Sequence, residues 1–281
     1  MFSEQFDGDV PGSISLRHEL SLRSMQFASA HGYLYERTDG EVPSIIFGRD
    51  EEGRHGNFHP DAYRCICANE RWARRLEKVH TAYKRVRVRS NWQWRELDCS
   101  NSSDALLMNI FCYPGILRRR ALCSLLGIEP GLQPAFGFRP RIPLKNGAQD
   151  RSEVDLKLGH LLIEAKLTEG DFQTARCDLI HRYRDFDAVF DVDRLPMRKE
   201  KYCSSQLIRG ALAAHAHGAS FAVVCDERRQ DLIDDCFEVI SAVLNAELRC
   251  RMSVVTWHEL ALAMPPKVRT FLVEKYGIGE E

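Results

Sequence analysis

Asp155-Leu156-Lys157-Leu158-Gly159-His160-Leu161-Leu162-Ile163-Glu164-Ala165-Lys166 is the stretch whose reading decides the fold. Glu153 to Leu158 alternates polar and apolar side chains, as a half-buried strand does. Gly159 and His160 offer a short turn, and Leu161 to Leu167 reads as a second, more buried strand. Glu164 and Lys166 are two positions apart, so both point to one face. Asp155 lies on the partner strand, within reach across the ribbon. Ile163, Ala165 and Leu167 fill the opposite, apolar face. Two carboxylates and an amine held on rigid strands are what divalent-metal phosphodiester chemistry needs.

That chemistry explains the residue types. Mg²⁺ takes oxygen ligands in octahedral geometry and keeps several waters, so one or two carboxylates suffice. The bound ion polarises a phosphoryl oxygen and lowers the pKa of a coordinated water. A lysine beside that water can orient it, or stabilise the negative charge that develops on the phosphate. The arrangement resembles the PD-(D/E)XK nuclease superfamily, the restriction-endonuclease-like group, with Asp155 as the first acid and Glu164-Ala165-Lys166 as the (D/E)-X-K element. Val154 stands where that group often has a proline. The resemblance implies an α/β fold whose core runs helix, three strands, helix, strand. It also implies a metal-dependent nuclease of restriction or repair type. Asp155 and Glu164 would hold Mg²⁺, with Mn²⁺ as a substitute, and Lys166 would position the attacking water. A solvated edge ribbon with a cross-strand ion pair is the plain alternative. Leu161-Leu162-Ile163 and Ala165 argue against it, because an unpaired charge on a buried strand is costly.

Composition sets the bounds. The 281 residues suffice for one large domain or two modest ones, and 44% hydrophobic with 28% charged residues is ordinary for a globular chain. No apolar run approaches a membrane span, and Met1 to Asp7 lacks a signal peptide's basic start and apolar middle. Ten cysteines without an export signal point to reduced thiols and a cytoplasmic protein. A net charge of -1 excludes a globally basic nucleic-acid binder, so attraction for phosphate must come from local patches.

Residues 1–99 are expected to form an N-terminal α+β extension. A helix runs through Leu20, Leu22, Met25 and Phe27, and Asp39-Gly40 is the turn of a hairpin joining Tyr33–Arg37 to Val42–Phe47. A long helix starts near Pro60 and runs toward Arg87. It concentrates Arg71, Arg74, Arg75, Lys78, Lys84, Arg85, Arg87 and Arg89, with Trp72 inside and Trp92 and Trp94 beyond. Such a set either tracks a phosphate backbone and stacks on bases, or is a solvated face over a buried stripe. His55, His59, Cys65 and Cys67 suggest zinc, but on a helix the two cysteines point to different sides and cannot share one ion.

Residues 100–281 are expected to form the nuclease-like domain. Asn101 to Phe111 opens with cap-type residues and continues as an apolar helix. The resemblance places a further metal-side acid on a helix ahead of the first core strand, a position Asp104 matches. Its plain role is a charge in the helix's first turn. Phe136 to Leu144 alternates as a first core strand, which Pro140 and Pro143 confine to an edge or make irregular. An insertion covers Thr168 to Tyr202; a helix from Ser204, the strand Ser220–Cys225, a helix over Asp231–Leu248 and a last strand from Met252 follow. Several members of the superfamily carry a Gln or a basic residue on the second helix near the metal. Gln206 is therefore a candidate catalytic residue, with Arg209 beside it; exposure on an amphipathic helix is the alternative. Arg118 to Arg120 are either solvated or phosphate-facing. The expected partner is nucleic acid, DNA first, with no membrane; a homodimer is left open. Two other readings compete: a catalytically degenerate nuclease fold that binds nucleic acid or serves assembly, and a hydrolase of some other phosphoester.

Overall fold

The computed structural model describes residues 11–39, 43–79 and 95–280. Contacts group the chain differently from a split at residue 99, into two units whose segments alternate along the sequence. One comprises Met1–Pro114, Leu167–Gly170 and Met264–Glu281; the other comprises Gly115–Lys166 and Asp171–Ala263.

The first unit is mostly helical. Helix α1 spans Pro11–His31 and packs on the C-terminal helix, Pro266–Tyr276. Strands β1 (Tyr35–Arg37) and β2 (Ile45–Phe47) pair antiparallel as expected, with Gly40 outside the described residues. The long helix expected from Pro60 is broken. Helix α2 covers Pro60–Ala68, α3 covers Glu70–Ala73, and one 3-10 turn, Arg74–Glu77, follows. Asn69 makes the break: its backbone is extended, and its side chain accepts from the N–H groups of Arg71 and Trp72 at 3.0 and 3.3 Å. Asparagine competes for backbone donors in this way and favours caps over helix interiors. Lys84, Arg85, Arg87, Arg89, Trp92 and Trp94 lie outside the described residues. Helix α4 (Ser103–Phe111) is entirely buried and is capped by the Ser102 hydroxyl, which accepts from Ala105 N–H at 3.2 Å.

The second unit is built on a mixed sheet. The chain passes through α5 (Arg120–Leu126), β3 (Ala135–Phe138), the short pair β4 (Ile142–Pro143) and β5 (Gln149–Asp150), then β6 (Val154–Leu158) and β7 (Leu161–Ala165). The insertion holds β8 (Ala175–Arg176), α6 (Cys177–Ile180), α7 (Phe186–Val189), β9 (Met197–Arg198) and β10 (Lys201–Tyr202). After it come α8 (Ser205–His217), β11 (Ser220–Cys225), α9 (Gln230–Ser241), α10 (Ala246–Cys250), β12 (Met252–Thr256) and α11 (Trp257–Leu262). The order across the sheet is β12-β11-β7-β6-β3. β3, β6 and β7 are antiparallel neighbours, whereas β7, β11 and β12 run parallel. The fold is α/β.

Local sequence accounts for the departures from expectation. β3 ends at Phe138, and Ile142–Pro143 pairs separately with β5, because Pro140 and Pro143 supply no ladder donors. The helix expected over Asp231–Leu248 is two helices, with Asn245 capping the second through Leu248 N–H at 3.0 Å. Gly159 takes φ +56° at the first position of the two-residue loop between β6 and β7, where glycine is favoured. At Gly210 a Cβ would lie 2.2 Å from Phe221 Cζ, so the missing side chain is what lets α8 lie close on β11. β7 is buried at all five positions, as a strand flanked on both sides should be. No helix among the described residues is long and apolar enough to cross a membrane.

Candidate active site

Strands β6 and β7 pair with Leu156 opposite Ile163 and Leu158 opposite Leu161. One step further, this register sets Asp155 opposite Glu164, and directly opposed residues share a face with Cβ atoms roughly 5 Å apart. Lys166, two residues on, returns to that face. Lys166 Nζ donates to Glu164 Oε1 at 3.0 Å, and Gln206 Nε2, from the first turn of α8, donates to the same oxygen at 2.7 Å. Asp155 Oδ2 accepts the Ala165 N–H at 2.7 Å. The fold thus brings Asp155, Glu164, Lys166 and Gln206 together.

The pair at its centre is buried: Glu164 is 4% and Lys166 5% exposed. Ions withdrawn from water this far are stable only when paired and hydrogen-bonded, which the shared oxygen provides. Two residues that no spacing signalled support them. The Lys166 carbonyl accepts the Trp257 indole N–H at 2.8 Å, and Lys166 Nζ lies 5.6 Å from the centroid of the Phe172 ring. The Phe172 carbonyl in turn accepts the Gln206 N–H at 3.0 Å. Support of this kind arises only from tertiary packing, so neither residue stood out in the sequence.

Gln206 shows one unsatisfied feature. Its Oε1 is buried without a hydrogen-bond partner. Reversing the amide would set that oxygen against the Glu164 carboxylate, so the orientation follows from the chemistry. A buried carbonyl left without a donor is unfavourable by about 1–3 kcal/mol, and a water donor would satisfy it. Among the described residues no group of three or more His, Cys, Asp or Glu side chains could hold a metal ion. The demand of Mg²⁺ is smaller: one or two carboxylates, with water and phosphate oxygens completing the shell. Asp155, Glu164 and an unpaired amide oxygen fit that demand.

Asp104 belongs to the other unit. There its Oδ2 accepts from Arg75 Nη2 at 2.6 Å and from Lys78 Nζ at 3.2 Å. Burial lowers the Lys78 amine, but Asp104 and Glu96 outweigh it and the group titrates above its ordinary value. Two of the expected phosphate-tracking cations are therefore engaged on a carboxylate, and Arg74 pairs with Glu70. His55 Nε2 meets Asp98 Oδ1 at 3.1 Å, and His59 Nδ1 accepts the Asp61 N–H, so both histidines have structural partners. Arg119 donates to the Ala263 carbonyl at 3.1 Å. Arg209, one turn beyond Gln206, acts on Asp150. Burial raises the Asp150 carboxyl, but Tyr183 Oη at 2.5 Å, the Ser152 N–H and hydroxyl, and Arg209 together hold it below the usual carboxylate range.

The family model described as "Restriction Endonuclease associating with ARP" matches residues 29–277, which covers most of both units. No curated protein and no solved structure matches the chain. With the match extending over nearly the whole sequence, the chain belongs to the family of restriction endonucleases associating with ARP.

Proposed function

We propose that the chain is a metal-dependent nuclease of the PD-(D/E)XK kind that hydrolyses phosphodiester bonds, with DNA as the first substrate to test. The carrying observation is the convergence of Asp155, Glu164, Lys166 and Gln206 on adjoining positions of β6, β7 and α8. The order α5, β3, β6, β7, α8, β11 supports a restriction-endonuclease-like core. Family membership supports nuclease chemistry on nucleic acid.

In this reading Asp155 and Glu164 hold the ion. When bound, Mg²⁺ supplies a polarised phosphoryl oxygen and a more acidic water. Lys166 sets the position of the attacking water and stabilises charge gathering on the phosphate, an interaction strongest away from bulk solvent. Gln206 fixes the Glu164 rotamer through Nε2 and offers Oε1 as an acceptor for a water proton.

The test is cleavage of supercoiled, linear and single-stranded DNA and of RNA, with Mg²⁺, Mn²⁺ or EDTA, by the wild type and by Lys166→Ala. The expected result is metal-dependent cleavage by the wild type alone. The engagement of Glu164 Oε1 by both Lys166 and Gln206 favours a second reading, a non-cleaving module for nucleic-acid binding or assembly. Binding without cleavage under every condition would establish that reading instead.

A further inference from the structure

The three short strands of the insertion lie side by side in the order β8-β10-β9. In their register Lys201 is opposite Arg176 on one side and opposite Arg198 on the other. Directly opposed residues project from one face, so three cationic side chains form a row, one from each strand. Strands are spaced about 4.8 Å apart, which makes the row roughly 10 Å long. The neighbouring positions, Ala175, Tyr202 and Met197, belong to the opposite face, where Tyr202 is buried.

Like charges set directly across a ladder destabilise it. Asp178 relieves only Arg176, through two bonds of 2.9 and 3.0 Å. The side chains of Arg198 and Lys201 make no hydrogen bond or ion pair among the described residues. At the turn Lys199 adds another cation, held at φ +54°, a left-handed backbone that residues other than glycine seldom adopt. Glu200 is the other turn residue, so Arg198 to Lys201 carries three positive charges against one negative. Arg176 and these four residues line an open concavity of about 690 Å³.

We infer that this row grips the phosphate backbone of a nucleic acid. The inference rests on the nuclease reading of the same unit and names how that site holds its substrate. One DNA strand presents a negative charge about every 3.4 Å, so the row can meet two or three phosphates. An acidic protein is the competing occupant. It fits less well, since lysine is depleted from the centres of protein interfaces and Lys201 stands at the middle of this row. The row is also tied to the candidate active site. The N–H groups of Ser205 and Gln206 donate to the carbonyls of Gln173 and Phe172, just ahead of β8, at 2.8 and 3.0 Å. Lys201 precedes Gln206 by only five residues.

The experiment compares the full-length wild type with the triple variant Arg198→Gln, Lys199→Gln, Lys201→Gln. Fluorescence anisotropy with a labelled mixed-sequence duplex and a matching single strand, in EDTA, gives affinity across salt concentrations. Each phosphate contact contributes a slope of about 0.9 to log K against log salt, so the triple variant should lose about two to three units of slope. Its melting temperature at low salt should equal or exceed that of the wild type, because like-charge repulsion is relieved. Should the triple variant melt lower, the single Lys201→Gln variant decides, with a loss of about one unit of slope expected. An unchanged slope in a folded variant overturns the inference; wild-type cleavage in the same preparation then leaves the nuclease reading standing. A wild type that neither binds nor cleaves any of the nucleic acids overturns both. Poly-glutamate that competes as strongly as duplex, and loses the same slope, would assign the row to an acidic protein and overturn it too.

Discussion

Lys166 in the sheet unit and Lys275 in the helical unit are both buried, at 5% and 0% exposure, and they are held by opposite means. Lys166 Nζ meets the carboxylate of Glu164 at 3.0 Å. Lys275 Nζ donates to the Asn57 carbonyl at 2.9 Å, to Asn57 Oδ1, and to Tyr276 Oη at 3.2 Å. The rings of Phe47, Tyr276 and Phe271 surround it, with centroids at 4.7, 4.8 and 5.5 Å. Burial among neutral partners pushes the Lys275 amine well below its ordinary value of 10.5. A buried amine without a carboxylate is driven toward its neutral form, whereas one beside a carboxylate forms an ion pair. Burial alone therefore does not mark a functional lysine. What separates the two is the partner, a carboxylate for Lys166 and neutral groups for Lys275.

The largest effect is expected on catalysis. Lys166→Ala should reduce single-turnover cleavage by about 10²–10³-fold, the scale seen when one group that stabilises transition-state charge is lost. Nucleic-acid affinity should change by no more than about twofold, since in the proposed mechanism the lysine would act on the reacting water and phosphate rather than on substrate grip. Lys275→Met, once folded, should cleave at the wild-type rate within about the same twofold margin. Equal losses in the two variants would erase the distinction between them.

Stability should respond next. Glu164→Ala strands a buried amine, and breaking a buried pair from one side destabilises by about 3–5 kcal/mol. Urea unfolding of Glu164→Ala, Lys166→Met and the double variant would measure the coupling. The double variant should recover a large part of the loss, because an apolar chain replaces the orphaned charge. Additive losses would mean that the two side chains do not depend on each other.

Lys166 was legible in the sequence and Lys275 was not, for a physical reason. Asp155, Glu164 and Lys166 lie within twelve residues whose alternation fixes strand faces, so local periodicity alone places them together. Gln206 was a candidate only through the resemblance to the nuclease superfamily, not through any local pattern. Lys275 is buried by Asn57, a partner 218 positions away, and nothing in Val273-Glu274-Lys275-Tyr276 records that contact. The same holds for Trp257, which reaches the Lys166 carbonyl from 91 positions away. Helix ends show the opposite failing. Apolar spacing carried the helix from Pro60 past Asn69, although that cap-type residue was visible and ended it. Pro140 and Pro143, also local signals, mark the strand as an edge or irregular one, but do not show that it divides at Phe138 into two separate pairings.

Acid-base linkage offers a measurement specific to Lys275. Its folded pKa lies below the ordinary 10.5 of the unfolded chain. Between those two values the unfolded state binds one more proton than the folded state, so stability rises with pH across that window. Above 10.5 the contribution is complete, and below the depressed pKa it is lost. Within the window the slope is about 1.4 kcal/mol per pH unit. Lys275→Met should flatten the stability curve by that amount within that window. Parallel curves for variant and wild type would show that Lys275 keeps its proton on folding.

The smallest expected effect isolates charge from packing. Both amines lie over aromatic faces, but attraction to a ring's electrons requires a cation. Lys166, paired with Glu164, should couple to Phe172 by about 0.5–1 kcal/mol in a double-mutant cycle using Phe172→Leu and Lys166→Met. Lys275 should couple to Phe47 only through packing at a pH above its depressed pKa, where the neutral amine predominates. Lowering the pH toward the depressed pKa of Lys275 should then bring out a cation–ring component in the Phe47 cycle while leaving the Phe172 cycle unchanged. That crossing pattern would hold even if the absolute couplings are small, because both cycles are read in one protein. A Phe47 coupling as large as that of Phe172 at a pH above that depressed pKa would mean that Lys275 is charged in its aromatic cage, and the contrast between the two lysines would rest on geometry alone.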